Sequence, residues 1–282
     1  MGIAITACAI ASPSGPGPAS TVDLASRAAR SCLEQAGISP SGVGVLVNVG
    51  VYRENNTFEP ALAAMIQKEV GINLDYLADP QPAAGFSFDL MDGASGVLSA
   101  VRVAQSLLTT STTERVLVTA ADVHPGGDAA RDPHYPYADL GGAFLLERSP
   151  DPGSGFGPVR HYDDDRPTDV EGYLDLDAMG HDGRSSITVR HTPGHRERAS
   201  LFTTRAVVSY MQEFGLDFER TLTVGPRPPS PAEPAEPHTA APVLGFRRLL
   251  DGERPAGRDT VLFVATGAGP RTTCVSYRPQ EW

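Results

Sequence analysis

An α/β architecture with largely parallel sheets is what this sequence predicts, and three observations predict it. Strand-like and helix-like segments alternate along the chain, which is how βαβ units read in sequence. Several strand candidates, such as residues 43–49 and 115–121, are continuous apolar runs, as expected of strands buried on both faces. The order also repeats. Glu114-Arg115-Val116-Leu117-Val118-Thr119-Ala120 has a counterpart in Asp259-Thr260-Val261-Leu262-Phe263-Val264-Ala265. Each is a buried strand followed, after a turn, by a shorter strand, as two similar halves would give. The halves are expected at residues 1–150 and 151–282.

The elements follow in order. Residues 2–9 read as a strand. Residues 22–37 read as a helix, with Asp23 near its start and Gly37 just past its end. Residues 43–49 form a strand, 60–70 a helix closed by Gly71, and 97–108 an apolar helix. Strands are expected at 115–121 and 142–148. In the second half, residues 199–214 and 243–250 read as helices, and 220–224, 259–265 and 272–277 as strands. Two segments break the pattern. Residues 151–186, rich in Asp and Gly, are expected to cross the surface between the halves as a loop. Residues 226–237, Pro-Arg-Pro-Pro-Ser-Pro-Ala-Glu-Pro-Ala-Glu-Pro, exclude a helix, because proline lacks the backbone donor and clashes with the preceding turn. An extended, polyproline-like connector is expected there.

Composition bounds the function. The chain has 282 residues, 40% of them hydrophobic, enough for one large core or two medium ones. A net charge of −11 opposes binding to phosphate backbones and anionic membranes, so no nucleic-acid or membrane partner is expected. The three cysteines, Cys8, Cys32 and Cys274, are widely spaced and odd in number. That argues against a disulfide framework and a zinc site, and fits a reducing cytoplasm. No stretch approaches a membrane span, and no positive run precedes the first apolar residues, so no secretory signal is expected. Gly153-Ser154-Gly155-Phe156-Gly157 is flanked by prolines and lacks the strand–helix context of a phosphate loop. No nucleotide, flavin or other cofactor is expected.

The chemistry should centre on Phe88-Asp89-Leu90-Met91-Asp92-Gly93-Ala94-Ser95-Gly96. It reads as a strand running into a tight, Gly-flanked turn and then the apolar helix at 97–108. That is the shape of a nucleophile elbow, which lifts one side chain into a pocket at a helix N-terminus. The segment resembles the active-site elbow of the 3-oxoacyl-ACP synthase III (KAS III) family of the thiolase superfamily. Further segments are similar to that family: residues 45–50, residues 58–71 with Gln67, residues 115–122, Tyr137-Ala138-Asp139-Leu140-Gly141-Gly142-Ala143-Phe144-Leu145-Leu146-Glu147, and residues 261–269 ending in Thr266-Gly267-Ala268-Gly269. The resemblance implies a thiolase-like fold, five-layered α-β-α-β-α, with two pseudo-repeated halves and central helices between two sheets.

It also implies a Cys-His-Asn triad, and here the chain departs from the pattern. The Cys position falls on Ala94, whose methyl group has no lone pair and no proton to lose. The His position falls on Pro226. The Asn position falls on His238, within Pro237-His238-Thr239-Ala240. The helix between the last two motifs is missing and the proline-rich connector replaces it. Such a chain also resembles the non-catalytic subunit of heterodimeric KAS III-like enzymes such as 2-heptyl-4-quinolone synthase, in which a Cys-bearing partner does the chemistry.

Other residues invite sharper readings. Ser95 sits one residue past the tip and reads as a helix cap, with a substitute nucleophile as the alternative. Asp92 reads as a dipole partner at a helix start, with a general base as the alternative. His238 reads as either an exposed loop histidine or a base and carbonyl-polarising donor. His161 with Asp163, Asp164 and Asp165 reads as a solvated face. Thr192-Pro193-Gly194 breaks any helix that would stack His191 on His195, so no metal site is expected. In the family, the aromatic at Phe58 reaches into a dimer partner's acyl pocket, which puts Tyr52, Arg53 and Glu54 at the same rim; the alternative for Phe58 is a plain core phenylalanine.

The expected function is a non-catalytic, pseudo-enzyme subunit of a KAS III-like acyltransferase or ketosynthase in fatty-acid-like or polyketide-like specialised metabolism. Its partner would be a Cys-bearing homologue or a second copy, with acyl carrier protein or acyl-CoA docking on the assembly. One alternative is a stand-alone acyltransferase, decarboxylase or thioesterase that uses His238, Ser95 or Asp92. Another is an acyl-carrier binding protein without chemistry.

Overall fold

Residues 2–15, 17–57, 59–73, 85–126, 134–174, 177, 187–226, 235–253, 256–267 and 269–280 are described by the computed structural model of the chain. The first sheet takes its strands from the first half. These are β1 (Ile3–Ala11), β2 (Val45–Asn48), β3 (Phe86–Asp89), β4 (Arg115–Asp122) and β5 (Leu140–Arg148), in the order β1-β5-β4-β2-β3. β2 pairs in parallel with β3 and β4, while β5 runs antiparallel to β4 and β1. Every residue of β2 is buried, and so are the last seven of β4, which is why residues 45–47 and 116–118 read as apolar runs.

Helix α1 (Thr21–Ala36) starts where the Ser20 hydroxyl accepts from the Asp23 N–H, and ends at Gly37 in a left-handed conformation. Leu24, Ala28 and Cys32 recur every fourth residue and are fully buried, so one stripe of α1 faces the sheet. Helix α2 (Leu62–Val70) joins α1 on that outer face. Helix α3 (Gly96–Thr110) covers the opposite, inner face.

The second sheet consists of β6 (Gly155–Phe156), β7 (Arg160–Asp163), β10 (Thr221–Val224), β11 (Thr260–Gly267) and β12 (Arg271–Arg278). Its order is β10-β11-β12-β6, with β7 also paired to β12. Helix α4 (His195–Glu213) packs on its outer face. Helix α5 (Ala241–Asp251) lies beside α3 in the middle, where Phe144, Phe246 and Phe263 join the two sheets in one core. The layers therefore run α1/α2, sheet, α3/α5, sheet, α4: the five-layered α-β-α-β-α arrangement with central helices.

The halves repeat with one omission. β10, β11 and β12 pair with one another as β2, β4 and β5 do, and β6 and β7 flank β12 as β1 flanks β5. Among the described residues, the second half has no counterpart of α2 or β3. Their place in the chain, between β10 and α5, is that of the proline-rich connector. Residues 227–234 lie outside the described residues, and of its described end the backbone of Glu236 bridges Tyr137.

The surface loop expected at residues 151–186 is corrected. It contains β6, β7 and β8 (Val170–Leu174), and β8 pairs antiparallel with β9 (Ile187–His191) as a separate two-stranded ribbon. Helix α4 also starts at His195 rather than 199. Among the described residues no helix is long and apolar enough to cross a membrane.

Candidate functional site

The elbow forms because its flanks are anchored. At the end of β3 the Asp89 carboxylate accepts from Asn48 Nδ2 and from the backbone N–H groups of Leu62 and Ala63, each at 2.9 Å. It thus satisfies the orphan donors at the start of α2 while pinning β3 to β2. The chain then turns through Gly93, whose φ of 51° favours glycine, into a 3₁₀ turn at Gly93–Ser95 and on into α3. Ala94 lines a cavity of about 1510 Å³ that runs past the elbow between α4, α5 and the second sheet. That volume exceeds the usual range for a small-ligand pocket, roughly 300–1,000 Å³.

Opposite the elbow stands His238, in a left-handed backbone conformation at the start of the turn into α5. It is not an exposed loop histidine: its side chain is 9% accessible. Its Nδ1 lies 3.0 Å from Asp122 Oδ2, which also accepts from the Thr239 N–H at 3.2 Å and from the Thr239 hydroxyl. Asp122 Oδ1 accepts from the N–H groups of Val51 (2.9 Å) and Tyr52 (2.8 Å). Gly50 permits this cradle, since a Cβ there would sit 2.2 Å from the Ala121 carbonyl oxygen. Burial alone would raise the Asp122 carboxyl, but the His238 charge and the hydrogen bonds outweigh it and hold the group below the ordinary carboxylate range. With Nδ1 on Asp122, the free Nε2 of His238 turns to the elbow, within 3.9 Å of where a Cβ on Gly93 would lie. Tyr137 stacks on the ring, with centroids 4.0 Å apart. The arrangement is a buried carboxylate orienting an imidazole toward a reacting centre, the geometry of a general base.

Among the described residues, the Ser95 hydroxyl beside the elbow tip is held in a hydrogen bond, and the three cysteines are buried. Ser95 is 1% exposed and, contrary to the expected cap, makes no side-chain capping bond. Its Oγ accepts from Thr273 Oγ1 at 3.0 Å, which ties the elbow to β12. Cys8, Cys32 and Cys274 are all buried, and burial pushes the thiols of Cys32 and Cys274 up to about 12 and that of Cys8 higher still. Asp92 borders the cavity, but its carboxylate accepts from the Ser99 hydroxyl at 2.6 Å and faces Arg271 at 3.7 Å. Pro226 lies on the cavity wall and has no proton to give.

The remaining candidates scatter. Tyr52 lines the cavity beside His238. Arg53 is buried, with its guanidinium 3.5 Å from Met91 Sδ. Glu54 accepts from the Thr21 N–H at 2.6 Å and so caps α1. Phe58 lies outside the described residues. His161 accompanies Thr273 on the edge of the second sheet, Asp163 pairs with Arg271 and Asp164 with Arg166, so two of the three aspartates sit in ion pairs. The stacking that the sequence argues against for His191 and His195 is nevertheless present. The Thr192-Pro193-Gly194 turn does break the helix, but it folds the two rings face to face with centroids 3.7 Å apart, and Glu236 stands beside them. Sequence reasoning missed Asp122, Tyr137 and Glu236. Asp122 carried one usable signal, its place at the C-terminal end of a buried strand.

Comparison with known proteins agrees with this architecture. No protein-family model matches the chain. Among curated proteins, β-ketoacyl-[acyl-carrier-protein] synthase III of Brucella canis is 36% identical over 129 residues, covering 45% of this chain and 36% of that enzyme. The Cereibacter sphaeroides enzyme of the same name is 34% identical over 102 residues, 36% of this chain and 28% of its own length. The matched stretch therefore spans only about a third of these relatives. Among solved structures, AbyA1, a tetronic acid condensing enzyme, superposes with a TM-score of 0.75 at 17% identity over 97% of this chain and 99% of its own. The priming β-ketosynthase of the R1128 polyketide pathway gives 0.75 at 17% identity, over 99% and 96%. The chain is thus KAS III-like in sequence over part of its length, and it has the thiolase-type fold throughout.

Proposed function

We propose that the protein is a non-acylating, pseudo-enzyme subunit of a KAS III-like acyl-transfer or ketosynthase assembly. It binds the acyl arm of a thioester in its cavity and supports a Cys-bearing homologue that forms the carbon–carbon bond. The observation that carries this reading is Ala94 at the tip of an otherwise well-built elbow. The turn, the Asp89 anchor, helix α3 and the cavity are all present, and the one atom that would take the acyl group is not. The names of the similar structures, a tetronic acid condensing enzyme and a polyketide priming ketosynthase, favour specialised metabolism of polyketide or fatty-acid type. Tyr52, Arg53, Glu54 and Phe58 would lie at the rim toward the partner, which is a homologue or a second copy. The test is reconstitution. The chain alone should give no condensation product from acyl-CoA and malonyl-ACP, and adding it to a Cys-bearing homologue should raise that homologue's turnover or shift its chain-length preference. A homologue indifferent to its presence would count against the reading.

One observation favours a second reading: Asp122 holds His238 with Nε2 toward the elbow. In that reading His238 takes a proton from water, the hydroxide attacks the bound thioester carbonyl, and the thiol leaves with a proton. Hydrolysis of acyl-CoA by the chain alone, abolished in His238→Ala, would establish it. No hydrolysis above that of the variant would dismiss it.

A further inference from the structure

We propose that His191, His195 and Glu236, which also line the large cavity beside the elbow, form a binding site for a divalent transition-metal ion of the zinc class. One ligand atom from each of the three lies within 4.8 Å of the other two, and His191 Nε2 is 3.7 Å from Glu236 Oε1. Two imidazoles and one carboxylate are a donor set suited to zinc, with a fourth position left to water.

The three come from different elements, and each is held firmly. His191 ends β9. His195 opens α4 after a turn in which the His195 N–H donates to the Thr192 carbonyl at 3.1 Å. Arg198 clamps that turn, donating to Asp169 Oδ1 from Nε at 2.8 Å, to the Pro193 carbonyl at 2.7 Å and to Thr192 Oγ1 at 2.8 Å. Glu236 is fixed by its own N–H on the Pro136 carbonyl (2.8 Å) and its carbonyl on the Ala138 N–H (2.9 Å). A site whose backbone is already in place needs little ordering when it binds.

A second observation points to a ligand. Among the described residues, neither ring nitrogen of His191 has a hydrogen-bond partner, and both are buried. A buried imidazole left this way is costly, and an unfilled ion site is one of the recognised reasons for it. Parallel rings cannot both aim a lone pair at one ion. Rotation of either ring about χ2, a soft torsion in histidine, opens the stack into a converging pair. A cavity of about 680 Å³ lined by all three residues gives an ion access.

An ion held here would tie the segment carrying His238, two residues beyond Glu236, to the turn before α4. Its binding depends on neither functional reading above. The experiment is Zn²⁺ titration of the tag-free full chain after stripping with EDTA, followed by calorimetry and competition with a chromophoric chelator. One ion per chain is expected, at micromolar affinity or tighter. Co²⁺ in its place should give visible absorption of low-coordinate, nitrogen–oxygen type. His195→Ala and Glu236→Gln should each weaken binding by at least about tenfold, as losses around metal sites do, while His161→Ala leaves it unchanged. Thermal unfolding of each variant checks that it folds. Absence of saturable binding, or binding that survives both substitutions, would overturn the proposal.

Discussion

Asp122→Asn is the substitution whose cost the structure specifies most closely. The carboxylate accepts five hydrogen bonds and is itself 1% exposed. An asparagine oxygen at Oδ1 still serves Val51 and Tyr52. Its NH₂ group then faces three groups that now donate. The Thr239 hydroxyl can reverse, and His238 can change tautomer, but the Thr239 N–H cannot and is stranded. A stranded buried N–H costs about 1–3 kcal/mol, and charge-assisted bonds lose part of their strength besides. The expected destabilisation is about 2–4 kcal/mol, or a Tm lower by roughly 5–15 °C in a chain of this size. Urea unfolding with an unchanged m-value measures it. The pH dependence supplies the sign. A carboxyl held below its ordinary value in the fold contributes stability that is fully present above the unfolded value of about 3.9 and is lost as pH falls through the folded value. The gap between wild type and variant should therefore be level at neutral pH and close in acid. A loss under about 0.5 kcal/mol at pH 7, set against that 1–3 kcal/mol for one stranded donor, would refute the network as described. So would a gap that widens in acid.

Three more predictions concern the proposal that the chain carries no nucleophile of its own. Native protein should resist iodoacetamide at pH 8 at Cys8, Cys32 and Cys274, and react at all three once unfolded, as read by peptide mass spectrometry. Ala94→Cys should add one rapidly alkylated thiol beside His238 without restoring condensation, since Pro226 offers no proton donor; condensation by this variant would show the pocket to be intact. Ser95→Ala should cost only about 1 kcal/mol through the lost Thr273 bond, and should leave acyl-CoA binding unchanged by titration.

Much of the fold was legible because its strands are buried on both faces. β2, β4 and β11 each carry a run of at least three consecutive apolar residues, and α1 ends at Gly37, the stop that the sequence marks. β7 was illegible for the opposite reason. Arg160, His161, Tyr162 and Asp163 pair at a sheet edge, with Arg160 and Asp163 exposed, so no apolar signal marks a strand. At the site, the elbow and the empty Ala94 position could be read directly, since both lie within nine consecutive residues. The partnership of Asp122 with His238 spans 116 positions and depends on sheet register, which no local pattern encodes. The His191–His195 contact was misjudged because a proline excludes a helix but does not exclude a turn that brings the same side chains together.

Intact-protein mass spectrometry after incubation with a long-chain acyl-CoA tests the central claim most directly. The thioester should bind saturably by calorimetry and leave the protein mass unmodified at every time point. A stoichiometric mass increase equal to one acyl group, mapped to Ser95 or to any of the three cysteines, would contradict it.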